Sequence, residues 1–433
     1  MRIINAVSVL PRVVRGALLP LSSSVRGLSA GTGVSDAPSS SRFSPFQLES
    51  ISVIKANGLT IVPPTQRSPI DFNKLTFSLN VGPWMAVATE TKSGWGPVHV
   101  VPSGEVLFDP MATVFHYGSA AFEGQQVRLD AQGMPRIWDP VANANRFASS
   151  CTKLGISPLP MDDFVAANKS LVVANKAMIP LESQGTLYVR FFVVGSGPGI
   201  GVKPSSEHRL FGLVNPVGSY FPGGLRAISL RATGAYPRAA EIGSGAFKVA
   251  GNYANSFLAS EGAKQQGFDE ELYLRADRNT IDEAGAANFV LAVKDGPQTC
   301  FISPQSSSIL PGTTLGRVLR LGEMAGYRIE RRDITLAEIR SLLNTCHLHS
   351  EAFCTGTAAG IAPIGRIYDA VRDTNLVFGS GDVGPIARKL YEGLGQIMAG
   401  NSELSPVMTQ TIPGAYRSPD EIVSDQARMS KVW

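Results

Sequence analysis

The sequence predicts an α+β protein that is built from two α/β domains. A chain of 433 residues, 44% apolar and 17% charged, has a globular composition and the length of two or three domains. Strand-like and helix-like segments are mixed along the chain. A stretch rich in turn residues, 218–224, resembles a domain junction.

The N-terminal segment has the composition of a targeting sequence. Residues 1–35 contain four arginines, a run of serines and no acidic residue, which is typical of a mitochondrial transit peptide. A plastid signal and a merely basic tail stay open as alternatives. Residues 36–45 are rich in Ser and Pro and are predicted to be a linker.

Charge and cysteine content exclude several classes of protein. The net charge of +4 equals the four N-terminal arginines, so the rest of the chain is near neutral and the pI of 8.8 does not indicate nucleic-acid binding. No apolar run reaches 18 residues, so no membrane insertion is expected. Four cysteines do not form a disulfide scaffold. His347 and His349 match no zinc spacing, so no metal site is predicted.

Several elements of the N-terminal half can be placed. Residues 95–108 alternate like strands, and 125–138 predict a hairpin. Asp139 and Pro140 predict a helix start and Gly155 its end. Residues 187–194 form a β-branched and aromatic strand on which Tyr188 and Arg190 share a face.

The C-terminal half predicts alternating elements, and the last 30 residues have no assignment. Strands are expected near 227–233, 270–275, 288–294 and 348–354, and helices near 252–266, 314–325, 335–344 and 383–399. The predicted domains are 46–221 (small, N-terminal) and 236–401 (large, C-terminal), with a connection at 222–235 and an extension at 402–433.

Lys248 is the leading candidate for a catalytic residue. It lies in GAFKVAGNY (245–253), among small residues that leave room for a planar ligand. A lysine amine with a lowered pKa can form a Schiff base with a carbonyl. A pyridoxal-phosphate site also needs an acid at the pyridine nitrogen and a hydroxyl at the ring oxygen. Glu283 and Tyr253 are the candidates.

A phosphate group needs several donors, and the sequence offers two small-residue turns and an arginine. LPGTTLGRVLRL places Thr313 and Thr314 at a helix N-terminus, where free N–H groups bind anions. TGTAAG (355–360) supplies Thr357, and Arg146 supplies a fixed positive charge. Each of these features alone is also an ordinary helix cap or a surface arginine.

The glycine-rich segment VVGSGPGIGV, 193–202, is superficially similar to a dinucleotide-binding loop. Its glycines alternate, so the GxGxxG spacing fails, and Pro204 interrupts any following helix. It is interpreted as a loop.

The chain resembles the branched-chain amino-acid aminotransferases, pyridoxal-phosphate enzymes of fold type IV, from about Asp71 to Gly400. The motifs that carry this resemblance are FHYGSAAFEG (115–124), NANRFASS (143–150), LYVRFF (187–192), PVGSYFPGG (216–224), FKVAGNY (247–253), TIDEAGAANF (280–289), ILPGTTLGRV (309–318) and TGTAAGIAPI (355–364).

The resemblance implies a fold with the cofactor between two α/β domains, a homodimer, and amino acids and 2-oxo acids as substrates. It implies that Lys248 is the Schiff-base lysine, Glu283 the partner of the pyridine nitrogen and Tyr253 that of the ring oxygen. It assigns the phosphate to Arg146, Thr313, Thr314 and Thr357. It assigns substrate binding to Tyr117, Phe122, Tyr188, Arg190, Tyr220, Ala358 and Ala359, with Arg190 on the second carboxylate of glutamate.

Other functions stay open at this point. The alternatives are another fold type IV enzyme, such as a D-amino-acid aminotransferase or aminodeoxychorismate lyase, a nicotinamide-dependent oxidoreductase, and a non-catalytic relative. A non-catalytic relative is expected to lose Lys248 or Glu283, and this chain has both.

Overall fold

The computed structural model describes residues 54–431 except 57, 65, 219–223, 241, 296 and 347–349. The predictions for the transit peptide, the linker, Tyr220, His347 and His349 lie outside the described residues. Within the described part, no helix is both long and apolar enough to cross a membrane.

The described chain forms helices that are mostly short. The α-helices are α1 Thr113–Tyr117, α2 Pro140–Lys153, α3 Met161–Ala174, α4 Ala250–Ala254, α5 Phe257–Gln265, α6 Thr313–Met324, α7 Leu336–Cys346, α8 Pro385–Met398, α9 Ser405–Met408 and α10 Pro419–Met429.

The strands are divided between the two halves of the sequence. The N-terminal half contributes β1 Ile54–Ala56, β2 Leu59–Val62, β3 Trp84–Thr91, β4 Gly94–Trp95, β5 His99–Pro102, β6 Glu105–Val106, β7 Ala120–Leu129, β8 Pro135–Trp138, β9 Thr186–Gly195 and β10 His208–Val217. The C-terminal half contributes β11 Ile228–Ala232, β12 Glu270–Leu274, β13 Ile281–Ala284, β14 Asn288–Asp295, β15 Gln298–Ser303, β16 Arg328–Arg331, β17 Ser350–Gly356, β18 Gly360–Asp369, β19 Thr374–Val377 and β20 Thr409–Thr411.

Two large sheets confirm the predicted α+β architecture. The first has the strand order β20-β8-β7-β9-β10-β3-β4, with β5 also on β3. The second has the order β13-β12-β11-β18-β17-β14-β15-β16, with β19 on β18. A small sheet joins β1, β2 and β6. The domain boundaries at 221 and 236 stay a prediction.

Each large sheet has its own apolar core. α2 and α3 pack on the first sheet through residues such as Phe147, Phe164 and Phe191, which are all buried. α7 covers one side of the second sheet, and α6 and α8 cover the other. The face of the first sheet that α2 and α3 do not cover is therefore available to form a site.

The local predictions hold where the sequence signal is strong. α2 begins after Asp139, whose side chain accepts from Ala142 N, with Pro140 at its first position. Gly155 follows with φ +70, in the left-handed region that glycine adopts most easily. The predicted helix at 252–266 is divided into α4 and α5.

The C-terminal extension, which had no assignment, completes the first sheet. β20 pairs with β8, so Thr409 lies opposite Trp138. α10 begins with a capping box of Ser418 and Glu421. Its Ile422 and Met429 belong to the core of the first sheet. The sequence shows no local periodic signal for this long-range pairing.

Candidate active site

A single cavity of about 630 Å³ brings together most of the predicted site residues. This volume is that of a typical small-molecule site. One wall is the open face of β7 and β9, and the other comes from α4, β13, the start of α6 and the turn after β17. The predicted residues that line it are Phe122, Arg146, Tyr188, Arg190, Lys248, Tyr253, Glu283, Thr313, Thr314, Thr357 and Ala358.

Lys248 is held by its backbone against α2 and β7. Its N–H donates to Ser150 Oγ at 2.8 Å, and its carbonyl accepts from Phe122 N at 3.0 Å. Asn252 fixes the preceding loop by donating to the carbonyls of Ser244 and Phe247. The asparagine of the GNY motif therefore shapes the loop that presents the lysine.

The glycines on either side of Lys248 have different surroundings. A Cβ at Gly245 would collide with the backbone of Ser308, so this glycine allows two chain segments to pack closely. A Cβ at Gly251 would meet open space. That the small residues leave room for a planar ligand stays a prediction.

The Lys248 amine is buried in a way that favours its neutral form. Burial, reinforced by the positive charge of Arg146, lowers the pKa of Lys248 to about 8. Nζ donates to Tyr253 Oη at 3.1 Å and lies 4.9 Å from the centroid of the Phe122 ring. Burial likewise raises the pKa of Tyr253 to about 12, so its phenol keeps its proton. The pair offers a nucleophilic amine and a hydrogen-bond donor side by side.

Glu283 is the buried acid of the site. It projects from β13, accepts from Asn288 Nδ2 and Leu310 N at 3.2 Å each, and pairs with Arg238 at 2.7 Å. Burial raises the pKa of Glu283 to about 7, although Arg238 opposes the shift. Gly285 ends the strand with φ +23, and a Cβ there would meet the Glu270 carboxylate.

The start of α6 and Arg146 form a cradle for an anion. α6 has no side-chain cap. Thr313 Oγ1 is buried without a hydrogen-bond partner in the described part of the chain. Arg146 donates to both oxygens of Glu123, at 2.8 and 2.6 Å, and to Pro311 O. Burial alone would lower the pKa of Arg146, but Glu123 keeps it above its ordinary value. Orphan donors at a helix N-terminus beside a fixed cation suit a phosphate.

The opposite wall is aromatic, with one arginine. The Arg190 guanidinium lies 4.6 Å over the Phe122 ring and donates to Tyr188 Oη at 3.2 Å, while its Nε is buried without a partner among the described residues. This contact confirms that Tyr188 and Arg190 share a strand face. A Cβ at Gly124 would overlap the Tyr188 hydroxyl, so this glycine makes room for the pair.

Three predicted substrate residues do not line this cavity. Tyr117, the last residue of α1, is 42% exposed and donates its hydroxyl to Ile200 O. Ala359 lines a small adjoining cavity behind the turn instead. Tyr220 lies outside the described residues.

Other lining residues were missed by the sequence reasoning. Phe77, Phe192 and Phe257 add to the aromatic surface, and Arg238 and Asn288 surround Glu283. Asn288 lies in the same motif as Glu283, TIDEAGAANF, so its place in that motif could have identified it. Arg238 lies in a loop with no pattern that distinguishes it from any other arginine.

Comparisons with known proteins agree with this geometry. Residues 120–367 match the family described as amino-transferase class IV. The branched-chain-amino-acid aminotransferase of Mycolicibacterium smegmatis is 34% identical over 310 residues, 71% of this chain and 83% of that protein. The enzyme of the same name from Helicobacter pylori is 35% identical over 338 residues, 77% of this chain and 95% of that protein.

A solved structure gives the same result for the fold. It is the T.th. branched-chain amino acid aminotransferase complexed with N-(5'-phosphopyridoxyl)-L-glutamate, which is 25% identical, with a TM-score of 0.62 over 77% of this chain and 100% of that chain. Since the family match covers more than half of the sequence and includes the lysine, the acid and the anion cradle, the chain belongs to the class IV aminotransferases.

Proposed function

We infer that this protein is a branched-chain amino-acid transaminase that uses pyridoxal 5'-phosphate. It transfers an amino group reversibly between Leu, Ile or Val and 2-oxoglutarate. The observation that carries this inference is the cavity in which Lys248, Tyr253 and Glu283 meet beside the anion cradle. The curated relatives named above supply the substrate class.

The residues present fit the cofactor. The orphan Thr313 hydroxyl, Thr314, Thr357 and Arg146 would hold its phosphate. Glu283 would hold a proton at the pyridine nitrogen, and Tyr253 would donate to the ring oxygen. Pyridoxal phosphate, when bound, supplies an electron sink for negative charge at the substrate Cα.

Lys248 carries out the proton transfer. Its amine is partly neutral because its pKa is about 8, so it can accept the proton of the substrate Cα. The same amine gives this proton up again to complete the amino transfer. Tyr253, 3.1 Å away, holds Nζ in place. The backbone N–H groups of Ala358 and Ala359 are proposed to bind the substrate α-carboxylate.

The aromatic wall would accept two kinds of side chain in turn. Phe122 and Tyr188 give an apolar surface for an aliphatic side chain. Arg190 supplies a charge for the γ-carboxylate of glutamate. Because Arg190 has a single hydrogen bond to a described side chain, little has to be broken when it turns to the substrate.

The test is a panel of amino donors with 2-oxoglutarate as acceptor, together with the visible absorbance of the purified protein. Leucine, isoleucine and valine should react, and the protein should carry an absorbance band that borohydride removes. Activity on D-amino acids alone, or elimination without amino transfer, would replace the proposal with another enzyme of the same fold type.

We further propose that the protein is a homodimer. Met111, Phe115, Tyr117, Ile200 and Val202 form an exposed apolar patch, with Ile200 76% and Val202 90% exposed. The two segments that bear it are joined by a hydrogen bond from Gly199 N to Met111 O. Patches of this kind mark association surfaces. Light scattering should give twice the chain mass, and Val202→Asp should lower it.

We also propose that residues 1–35 direct the protein to the mitochondrial matrix. The support is their composition, with four arginines and no acid. A fluorescent protein fused after residue 45 should collect in mitochondria, and replacement of the four arginines by glutamine should abolish this. Accumulation in plastids would contradict the proposal.

A further inference from the structure

One row of the aromatic wall consists entirely of phenylalanines. Phe122 on β7 lies opposite Phe192 on β9, which lies opposite Phe211 on β10. Phe122 and Phe192 line the cavity, whereas Phe211 does not and is only 3% exposed. The neighbouring row pairs Gly124 with Arg190 and is the polar part of the wall.

The two rows offer different surroundings to a substrate near Lys248. Its Nζ lies 4.9 Å from the centroid of the Phe122 ring, so we expect the reacting carbon of a bound substrate close to that ring. Arg190 leans onto Phe122 from one side. Phe192 is the direct cross-strand neighbour of Phe122. The Cβ atoms of such pairs are roughly 4.5–5.5 Å apart. Ala120, two residues before Phe122 on β7, adds a small apolar side chain to the cavity lining.

Phe192 forms a stiff surface because of what lies behind it. Its ring stacks on Phe211 at 5.1 Å with an interplanar angle of 25°, and Phe211 contacts Phe108 at 6.0 Å. Close-packed rings cannot move aside without opening a void. Arg190, by contrast, has a single hydrogen bond to a described side chain, that of Tyr188.

We propose that Phe192 sets the maximum length of the aliphatic side chain that the site accepts. This inference rests on the proposed aminotransferase function and adds the residue that determines side-chain length. A side chain that fits the space beside Phe122 is retained, and a longer unbranched or aromatic one collides with the Phe192 ring.

The test compares Phe192→Ala and the milder Phe192→Leu with the wild type. Phe192→Ala should raise kcat/KM for methionine and norleucine relative to valine by about tenfold or more, the scale of a methylene in an apolar pocket. Calorimetric titration with unbranched carboxylates of increasing length should show that the preferred length becomes greater. This second readout does not depend on turnover.

Phe191→Ala is the matched control. It removes the same ring from the adjacent position of β9, which belongs to the core under α2 and α3 and does not line the cavity. Thermal melting establishes that each variant is folded, and the pair Phe192→Leu and Phe191→Leu serves if an alanine variant is not. An unchanged methionine-to-valine ratio and length preference, or equal changes in the Phe191 control, would overturn the proposal. Failure of the wild type to transaminate valine or leucine would instead overturn the proposed function.

Discussion

The two walls of the active-site cavity hold their arginines in opposite ways. On the C-terminal wall, Arg238 donates to the carbonyls of Gly245 and Ser308 at 2.9 Å each and pairs with Glu283. On the N-terminal wall, Arg190 has one side-chain hydrogen bond, to Tyr188, and rests on an aromatic ring. A group bound by several fixed partners suits a permanent ligand, whereas a loosely held one suits substrates that alternate.

The difference between the walls follows from their surroundings. The C-terminal wall is built from strand ends and loops whose backbone groups need partners, so it is dense in hydrogen bonds. The N-terminal wall is the middle of a sheet whose backbone groups are already paired, so only side chains project from it. The sheet can therefore present phenylalanines and an arginine with a single hydrogen bond to a described side chain without leaving backbone groups unpaired.

Removal of Lys248 should have the largest effect, because the C-terminal wall then loses its reactive group. Lys248→Ala should lower kcat for leucine by roughly 10²–10⁴-fold and abolish the band that borohydride removes. Steady-state kinetics and mass spectrometry after borohydride treatment measure both effects. The control is Lys153→Ala, an exposed lysine whose Nζ lies over the neighbouring Phe247. Near-normal activity of Lys248→Ala without added amine would refute the assignment.

The next largest effect should be a difference in stability between the Arg238→Met and Arg190→Met variants. Arg238→Met leaves the Glu283 carboxylate buried and unpaired, which should cost about 3–5 kcal/mol in free energy of unfolding. Arg190→Met removes a guanidinium with few partners and should change the free energy of unfolding by less than about 1 kcal/mol. Urea denaturation of both variants measures the difference. Equal losses would mean that Arg190 is as much a structural residue as Arg238.

Substrate preference should separate the walls further. Arg190→Met should reduce the rate constant with glutamate and with 2-oxoglutarate by about ten- to a hundredfold, the value of a charge-assisted contact. Leucine should be affected much less, because its side chain makes apolar contacts only. The two half-reactions are followed separately by the absorbance change of the cofactor. An equal loss in both half-reactions would show that Arg190 maintains the site instead of recognising the substrate.

The smallest effect should be a shift in the pH dependence of cofactor capture. The pKa of Lys248 is below that of free lysine, so its neutral fraction, and the capture of added pyridoxal phosphate, should rise with pH through about 8. The positive charge of Arg190 contributes to this lowering, after burial and Arg146. Arg190→Met should therefore move the midpoint of the absorbance titration to higher pH, while Arg190→Lys should not. A shift to lower pH would contradict this electrostatic account.

Sequence reasoning was most successful where a residue's position follows from local pattern. Asp139 and Pro140 placed the start of α2, and strand alternation placed Tyr188 beside Arg190. Lys248 and Glu283 were identified by motifs, and the structure places both in one cavity. Phe192 was not identified, because alternation shows that it shares a face with Arg190 but not that this face is open. Arg238 depends on contacts with Ser308 and Glu283, far along the chain, which no local pattern encodes.

The pairing of β20 with β8 also determines when the first sheet can be completed during synthesis. Arg136 and Thr409, which meet at this edge, are 273 residues apart. At translation rates of about 5–20 residues per second, β20 is synthesised tens of seconds after β8. An unpaired edge is a template for aggregation, and proline and positive charge are the residues that proteins use to block it. Pro135 and Arg136 lie on β8 itself, so this edge has both kinds of residue that limit pairing with another chain.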